Sequence, residues 1–500
     1  MCRIGHSGKN VKLKFKPIVI ALVCGLSLPV AAQEVTFNQA WHLLMQQNNS
    51  LAAGQANVDR YKNLQVAKQS LNLPSVTLSA NYTRLDDDVT LSGKQIKDSI
   101  TTPITLPPIS IPALANSYAT LEEKDVFTSS IRAVWPIFTG GKIISAQSIA
   151  AAQTDEARAQ LEMERQARFE DLAKYYFGVV LSKQVVQTYQ SVEQGLEQHA
   201  LFAAKLEQQG QIAHVEKLQA DASLAKAKVD RKKAQRDLQI ASSALTQILN
   251  QSQTVTPTSK LFINSNLPPL SAFTNETLAS YPGLSILDAK EKQAKGLTDV
   301  EKSKYYPDVY LYGNYNLYEG DSITAQLTPD WFVGVGVSVP LLETSGRSGQ
   351  LEAAHSAVLQ ITHLRAQAKQ DLSVLVQKTY LEAEQSMEEV KGLNASIELA
   401  QENLRLRRKM FSQGLSNSLD VVDAELYLAS IQTQQHVARF NYLISLNKLL
   451  ALSGKMNTFS QYENRPNKTV NTARLSTHEL TTTHELTKQG STKQGETHVH

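Results

Sequence analysis

Asp420 and Asp423 are the side chains whose type and spacing first suggest chemistry. Three residues apart, they share one helical face, and Ser416-Asn417-Ser418 just before them supplies groups of the kind that cap a helix start. Acids in a first turn favour the positive end of a helix, so the chemistry they offer is electrostatic. Catalytic arrangements are missing elsewhere. The eleven histidines include no HExxH pair, and His355 and His363 stand eight apart, the wrong step for a helical metal pair. Gly334-Val335-Gly336 lacks the third glycine of a dinucleotide fingerprint. Gly140-Gly141-Lys142 lacks the upstream glycine and following hydroxyl of a phosphate loop. No enzyme and no cofactor are expected.

The positions of these residues depend on what precedes them. Lys9, Lys12, Lys14 and Lys16, an apolar run from Ile18 to Leu28 and the small residues Val30-Ala31-Ala32 predict a secretory leader over 1–32. Bulky Val23 before Cys24 argues against a lipid anchor. Both cysteines, Cys2 and Cys24, fall in the leader, so the mature chain carries no thiol for catalysis or metal binding. The leader also holds five of the 50 Lys and Arg and no acid, leaving 45 bases against 47 acids and a net charge of −2. Nothing in that balance points to nucleic acid. No later run reaches eighteen apolar residues, so any membrane crossing must use strands.

An internal repeat organises the rest. Pro74-Ser75-Val76-Thr77-Leu78-Ser79-Ala80-Asn81-Tyr82 matches Pro307-Asp308-Val309-Tyr310-Leu311-Tyr312-Gly313-Asn314-Tyr315 at a shift of 233, while Pro136 matches Pro340 and Gly210 matches Gly414 at 204. The difference of 29 falls in an insert from about Asp86 to Asp125, whose Pro103, Pro107, Pro108 and Pro112 predict a surface loop. Each copy reads as helix, strand, loop, strand, long helix, tight turn, helix. The expected divisions are a first repeat over 33–250, a connector over 251–275, a second repeat over 276–453 and a polar, disordered tail over 454–500. Strict alternation in 127–137, 309–317 and 331–339 predicts strands with one apolar face. Trp135, Trp331, Tyr310, Tyr312, Tyr315 and Tyr318 are candidates for a membrane-interface belt as much as for ordinary packing.

Alternation by itself also suits a soluble sheet; the helices tip the balance. Lys142 to Gln209 runs 68 residues without proline, roughly 100 Å at 1.5 Å per residue. Steps of three and four through Val185, Tyr189, Val192, Leu196, His199, Ala203 and Leu206, and again from Leu351 to Leu375 and Leu426 to Leu450, predict helices lying side by side for many turns. Helices of that length on a short sheet suit a tube across an aqueous space. Four strands cannot close a barrel, so either they never enter a membrane or the wall is shared among two, three or four copies.

The chain resembles the TolC family of outer-membrane efflux proteins from about residue 34 to 453. The resemblance is carried by Phe411-Ser412-Gln413-Gly414 with Leu419-Asp420-Val421-Val422-Asp423-Ala424-Glu425, by Gly210 with Val215-Glu216-Lys217-Leu218-Gln219-Ala220-Asp221, and by Val134-Trp135-Pro136-Ile137-Phe138-Thr139-Gly140-Gly141-Lys142. It implies an α+β membrane protein: a tandem-repeat protomer giving four strands to a shared, trimeric, twelve-stranded barrel and long antiparallel helices to a periplasmic α-barrel. It further implies a passive exit duct for efflux or type I secretion, working with a periplasmic adaptor and an inner-membrane pump or ABC transporter, and set in outer-membrane lipid. By the same resemblance Gly210, Gly414 and Phe411 mark the tip that meets the adaptor. Asp420, Asp423 and Glu216 mark the pore constriction, where three-fold symmetry would gather the two aspartates into six carboxylates. One departure is Ser416, where the family's best-known member has a basic residue linking its two hairpins, so that closing salt bridge is not expected. A periplasmic coiled-coil scaffold without a pore would explain the helices but not the four strands.

Overall fold

The computed structural model describes residues 33–93, 95, 118–320, 322–341 and 344–464. The expected leader, the four prolines of the insert and the chain beyond 464 lie outside the described residues.

In the first half, β1 (Gln33–Val35) leads into α1 (Phe37–Gln47) and α2 (Asn49–Gln69). Thr36 and Gln39 form a reciprocal capping box on α1, and the Asn48 side chain takes the Ser50 and Leu51 amides to start α2. Strands β2 (Ser75–Arg84), β3 (Val89–Ser92), β4 (Tyr118–Glu122) and β5 (Asp125–Thr139) follow, then α3 (Lys142–Gln208) and α4 (His214–Ile248). After β6 (Val255–Pro257), the second half repeats the plan with α5 (Leu270–Ser280), α6 (Pro282–Ser303), β7 (Asp308–Tyr318), α7 (Ile323–Leu327), β8 (Trp331–Ser338), α8 (Arg347–Ser412) and α9 (Ser418–Leu452), closing with α10 (Phe459–Glu463).

Four helices end alike. Gly210, Asn250, Gly414 and Gly454 all take positive φ, and each is followed by an amide bonded five residues back, as Gln211 N to Leu206 O and Lys455 N to Leu450 O. Only a left-handed residue lets the chain leave an α-helix with its last carbonyls satisfied in this way. Asn250 and Gly454 sit 204 apart, as Gly210 and Gly414 do, so the same stop is used at both ends of the repeat.

The main sheet is antiparallel, in the order β2-β5-β7-β8, and both outer edges are unpaired among the described residues. Its register sorts the side chains by sign of polarity. Val76, Leu78, Ile131, Trp135, Leu311, Tyr315, Trp331, Val333 and Val335 fall on one face, and all are exposed. Thr77, Ser79, Arg132, Asn314 and Asn316 fall on the other. The candidate belt aromatics therefore separate. Trp135, Trp331 and Tyr315 belong to the apolar face, and a bulge in β7 brings Tyr318 round to Phe127, ring centres 5.7 Å apart. Tyr310 and Tyr312 lie on the polar face, opposite Gly336 and Gly334, where a Cβ would enter their rings.

Two expectations need correction. The insert is not all loop, since β3 and β4 pair within it; Val89-Thr90-Leu91 is too short a run to announce a strand. The tail does not begin at 454, because Phe459 and Tyr462 are buried in the core. Two aromatics in a polar stretch were enough to anchor one more turn of helix.

That core sits at the waist of the molecule, where Phe37, Trp41, Phe169, Tyr176, Phe177 and Phe459 interlock, with Phe37 and Phe459 ring centres 4.5 Å apart. The buried Tyr176 hydroxyl donates to Val35 O at 2.8 Å and accepts from Thr258 N at 3.2 Å and Ser259 N at 3.1 Å. One phenol thus ties β1, the segment after β6 and α3 together. Tyr176→Phe leaves the Ser259 amide without its partner and takes one bond each from Thr258 N and Val35 O, which stay bonded to each other at 3.0 Å, a loss of about 1–3 kcal/mol. Thermal unfolding in detergent should show a lower midpoint for Tyr176→Phe and an unchanged one for Tyr175→Phe, which is 40% exposed.

Candidate functional site at the helical tip

About 100 Å of helix separates the sheet from the far end of α3 and α8. There Gly210 and Gly414, with φ of 69° and 72°, turn each long helix into its shorter partner. Phe411 is buried in a small cluster with Ala200, Ala203, Leu206, Ala220 and Val421, so one apolar knot draws on α3, α4, α8 and α9 together. Its ring lies 4.6 Å from that of His199.

Around this knot the polar groups converge on the start of α9. Asn417 is the cap, its side chain accepting the Asp420 amide at 2.8 Å. The Glu216 carboxylate, arriving from the other hairpin, accepts the Ser418 amide at 2.6 Å. The Ser418 hydroxyl is hydrogen-bonded to His199 Nε2 at 2.7 Å. Residues 202 and 219 positions away in sequence therefore close the first turn of α9. The equivalent turn of α4 begins at Ala213 with no side-chain cap.

Asp420 is engaged within its own hairpin: Ser416 Oγ donates to it at 2.7 Å, and Arg407 of α8 pairs with it at 3.3 Å. Ser416 thus contributes a hydroxyl where the basic residue is absent, and Arg407 supplies the cation. Asp423 is exposed and makes no hydrogen bond or ion pair among the described residues. The structure therefore engages Asp420 and Glu216 at the start of α9 and leaves Asp423, three residues on, exposed.

Several residues of this site were not evident beforehand. Arg408 of α8 pairs with buried Glu425 of α9, and Gly195 of α3 lies against the pair. A Cβ on Gly195 would stand 2.6 Å from Glu425 Oε1 and 2.7 Å from Arg408 Nη2. Glycine there lets α3 approach the ion pair. Burial raises the Glu425 carboxyl above its ordinary range, with Arg408 pulling back. Burial, aided by the nearby Arg408 charge, lowers His199 to about 4, while Glu216 opposes the shift. A clue lay in Arg405-Leu406-Arg407-Arg408, a basic run near a helix end; His199 was hidden because it also occupies a packing seam.

The same architecture is known elsewhere. Solved structures of CusC (TM-score 0.69, 13% identity, covering 83% of this chain and 92% of that one), of VceC from Vibrio cholerae (0.66, 15%, 84% and 96%) and of Neisseria gonorrhoeae MtrE in its open state (0.65, 17%, 84% and 89%) share the fold. No curated protein matches the chain by sequence. The family model described as outer membrane efflux protein matches residues 40–251 and 274–455. The chain belongs to that family.

As an outer-membrane efflux protein, the chain sets its four strands in the outer membrane as barrel wall and extends its helices into the periplasm. No described helix is long and apolar enough to cross a membrane. The tip is then the periplasmic end, far from lipid, where water and pH act on it directly. Removing Glu216 should loosen the start of α9: Glu216→Ala is expected to speed hydrogen exchange at Ser418–Val421 about tenfold, the equivalent of losing one charge-assisted bond, and Glu216→Gln less.

His199 has its own signature. Its pKa is depressed where it is packed, so a loosened tip would bind the proton more readily. The stability it lends is full above about 6.5 and falls as pH drops toward about 4. Glu425, raised by burial, works in the opposite sense above the ordinary carboxyl range, where the packed tip gains stability as pH falls through its raised pKa. Exchange at α9, corrected for intrinsic rate, should therefore accelerate more between pH 7 and pH 5 in the wild type than in His199→Gln, which lacks the histidine's contribution.

Proposed function

We propose that three copies of this chain form the exit duct of a tripartite efflux or type I secretion system, passing solutes delivered by a periplasmic adaptor and an inner-membrane pump. The observation that carries the reading is the sheet: two open edges and one exposed apolar face. In lipid each unsatisfied backbone group costs several kcal/mol, so β2 and β8 need partners. Four alternating strands leave β8 running opposite to β2, so β8 of one copy can pair with β2 of the next, antiparallel all the way round. Such a head-to-tail contact closes into a ring. A pore-free scaffold would leave the apolar face against water.

In this ring the tip narrows the helical tunnel. Asp423, solvated and unpaired, and Asp420, held by Arg407, supply two carboxylates per copy near the axis, with Glu216 beside them; cations are drawn in and the acids repel one another as the tip closes. The turns at Gly210 and Gly414, braced by Phe411, present the surface that meets the adaptor.

Two measurements test this reading. The mature sequence lacks cysteine, so one cysteine placed in β2 and one in β8, scanned in register, should give covalent dimers and trimers on oxidation; monomers at every register would defeat it. In planar bilayers, Asp420→Asn with Asp423→Asn should lower cation preference and change conductance. An unaltered selectivity would leave these acids only their roles at the helix start.

A further inference from the structure

We infer that Arg132 is an anion-selecting element inside the barrel, one that favours the passage of negatively charged solutes at the outer end of the duct. This rests on the shared-barrel reading. Arg132 lies in the middle of β5, on the polar face, opposite Thr77 in β2 and Asn314 in β7. It is exposed, and among the described residues it makes no hydrogen bond or ion pair. Its neighbours on that face are neutral: Ser79, Ser130, Tyr312, Asn314 and Phe332. Among the described residues, acids stand further off. Asp308 and Asp125 lie at strand ends, six residues from Asn314 and seven from Arg132, about 20 Å along the strands. Asp330, just before β8, is nearer: its carbonyl takes the Asn316 amide, two strands from β5.

An arginine with no counter-charge on a wall of hydroxyls, amides and rings serves no packing need of the sheet. Its apolar-face neighbours Ile131 and Ala133 already anchor that stretch. What remains is the field it projects into the lumen. Twelve strands about 4.8 Å apart, tilted about 40°, close on a backbone radius of about 12 Å. An ion on the axis is then within about one Debye length, roughly 10 Å at 0.1 M salt, of each of three guanidinium groups. At that distance in water the three charges together favour a monovalent anion over a cation about fourfold. The solutes selected are small or extended molecules bearing carboxylate, sulfonate or phosphate groups.

The test uses the full-length channel in planar bilayers under a tenfold KCl gradient, with naphthalenetrisulfonate added on the barrel side as a rigid anionic probe. Arg132→Gln should lower the chloride-to-potassium permeability ratio about fourfold and abolish block by the probe. Asp330→Asn should move the ratio the other way, and Arg132→Lys should keep most of the selectivity. A conducting Arg132→Gln channel with unchanged reversal potential and unchanged block would overturn the inference while leaving the channel reading intact. A wild-type protein that forms no channel would overturn both.

Discussion

The structure depends on one constraint: a sheet in hydrocarbon has no water to complete its backbone hydrogen bonds. Among the described residues, strands β2 and β8 each turn one side toward no other strand. About half the residues of such a strand aim an N–H and a C=O outward, so the two edges carry on the order of twenty open groups at several kcal/mol each. Folding of a single domain leaves only about 5–15 kcal/mol of net stability. No arrangement of helices or core could absorb a deficit of that size. Association is therefore part of folding for this chain, and the repeat within it, two wall strands and a long helical hairpin taken twice, halves the number of distinct contacts a closed ring must satisfy.

The same repeat that builds the wall is broken where movement is useful. At the waist, interlocked aromatic rings and the triply bonded Tyr176 hydroxyl hold α1, α3 and the segment after β6 in one arrangement. At the tip, the two halves are joined by a cluster of small residues around Phe411 and by the Glu216 and His199 bonds to Ser418. The first-half turn has no such cap. In the proposed duct, a tip held by two hydrogen bonds and an apolar knot would part at less cost than the waist with its larger core, so opening at the far end would not need to disturb the membrane-spanning end.

Much of this was legible in the residues. The shift of 204 between Gly210 and Gly414 and the proline-free spans located the hairpins, and alternation located strands β5, β7 and β8. What escaped notice shares a physical cause, that of depending on register or on contacts between distant segments. Asn250 is the counterpart of Gly454, but asparagine in the left-handed region looks like any polar residue until its φ is known. Tyr310 and Tyr312 could not be told from belt aromatics until the pairing put them over Gly336 and Gly334. Glu216 matched Asp420 by repeat position, yet its partner is the amide of Ser418, two hundred residues on. Composition suggested a tail from 454, and two aromatic side chains overruled it.

Electrostatics divides along the same line as mechanics. The acids of the tip and Arg132 of the barrel are separated by most of the length of α3 or α8, about 100 Å, some ten Debye lengths at 0.1 M salt. Neither set can feel the other. In the proposed duct a solute would meet two independent filters in series: carboxylates where it enters from the periplasm, guanidinium groups where it leaves. A monovalent cation would be drawn through the first and slowed at the second, an anion the reverse. A molecule carrying both charges would find one favourable encounter at each end.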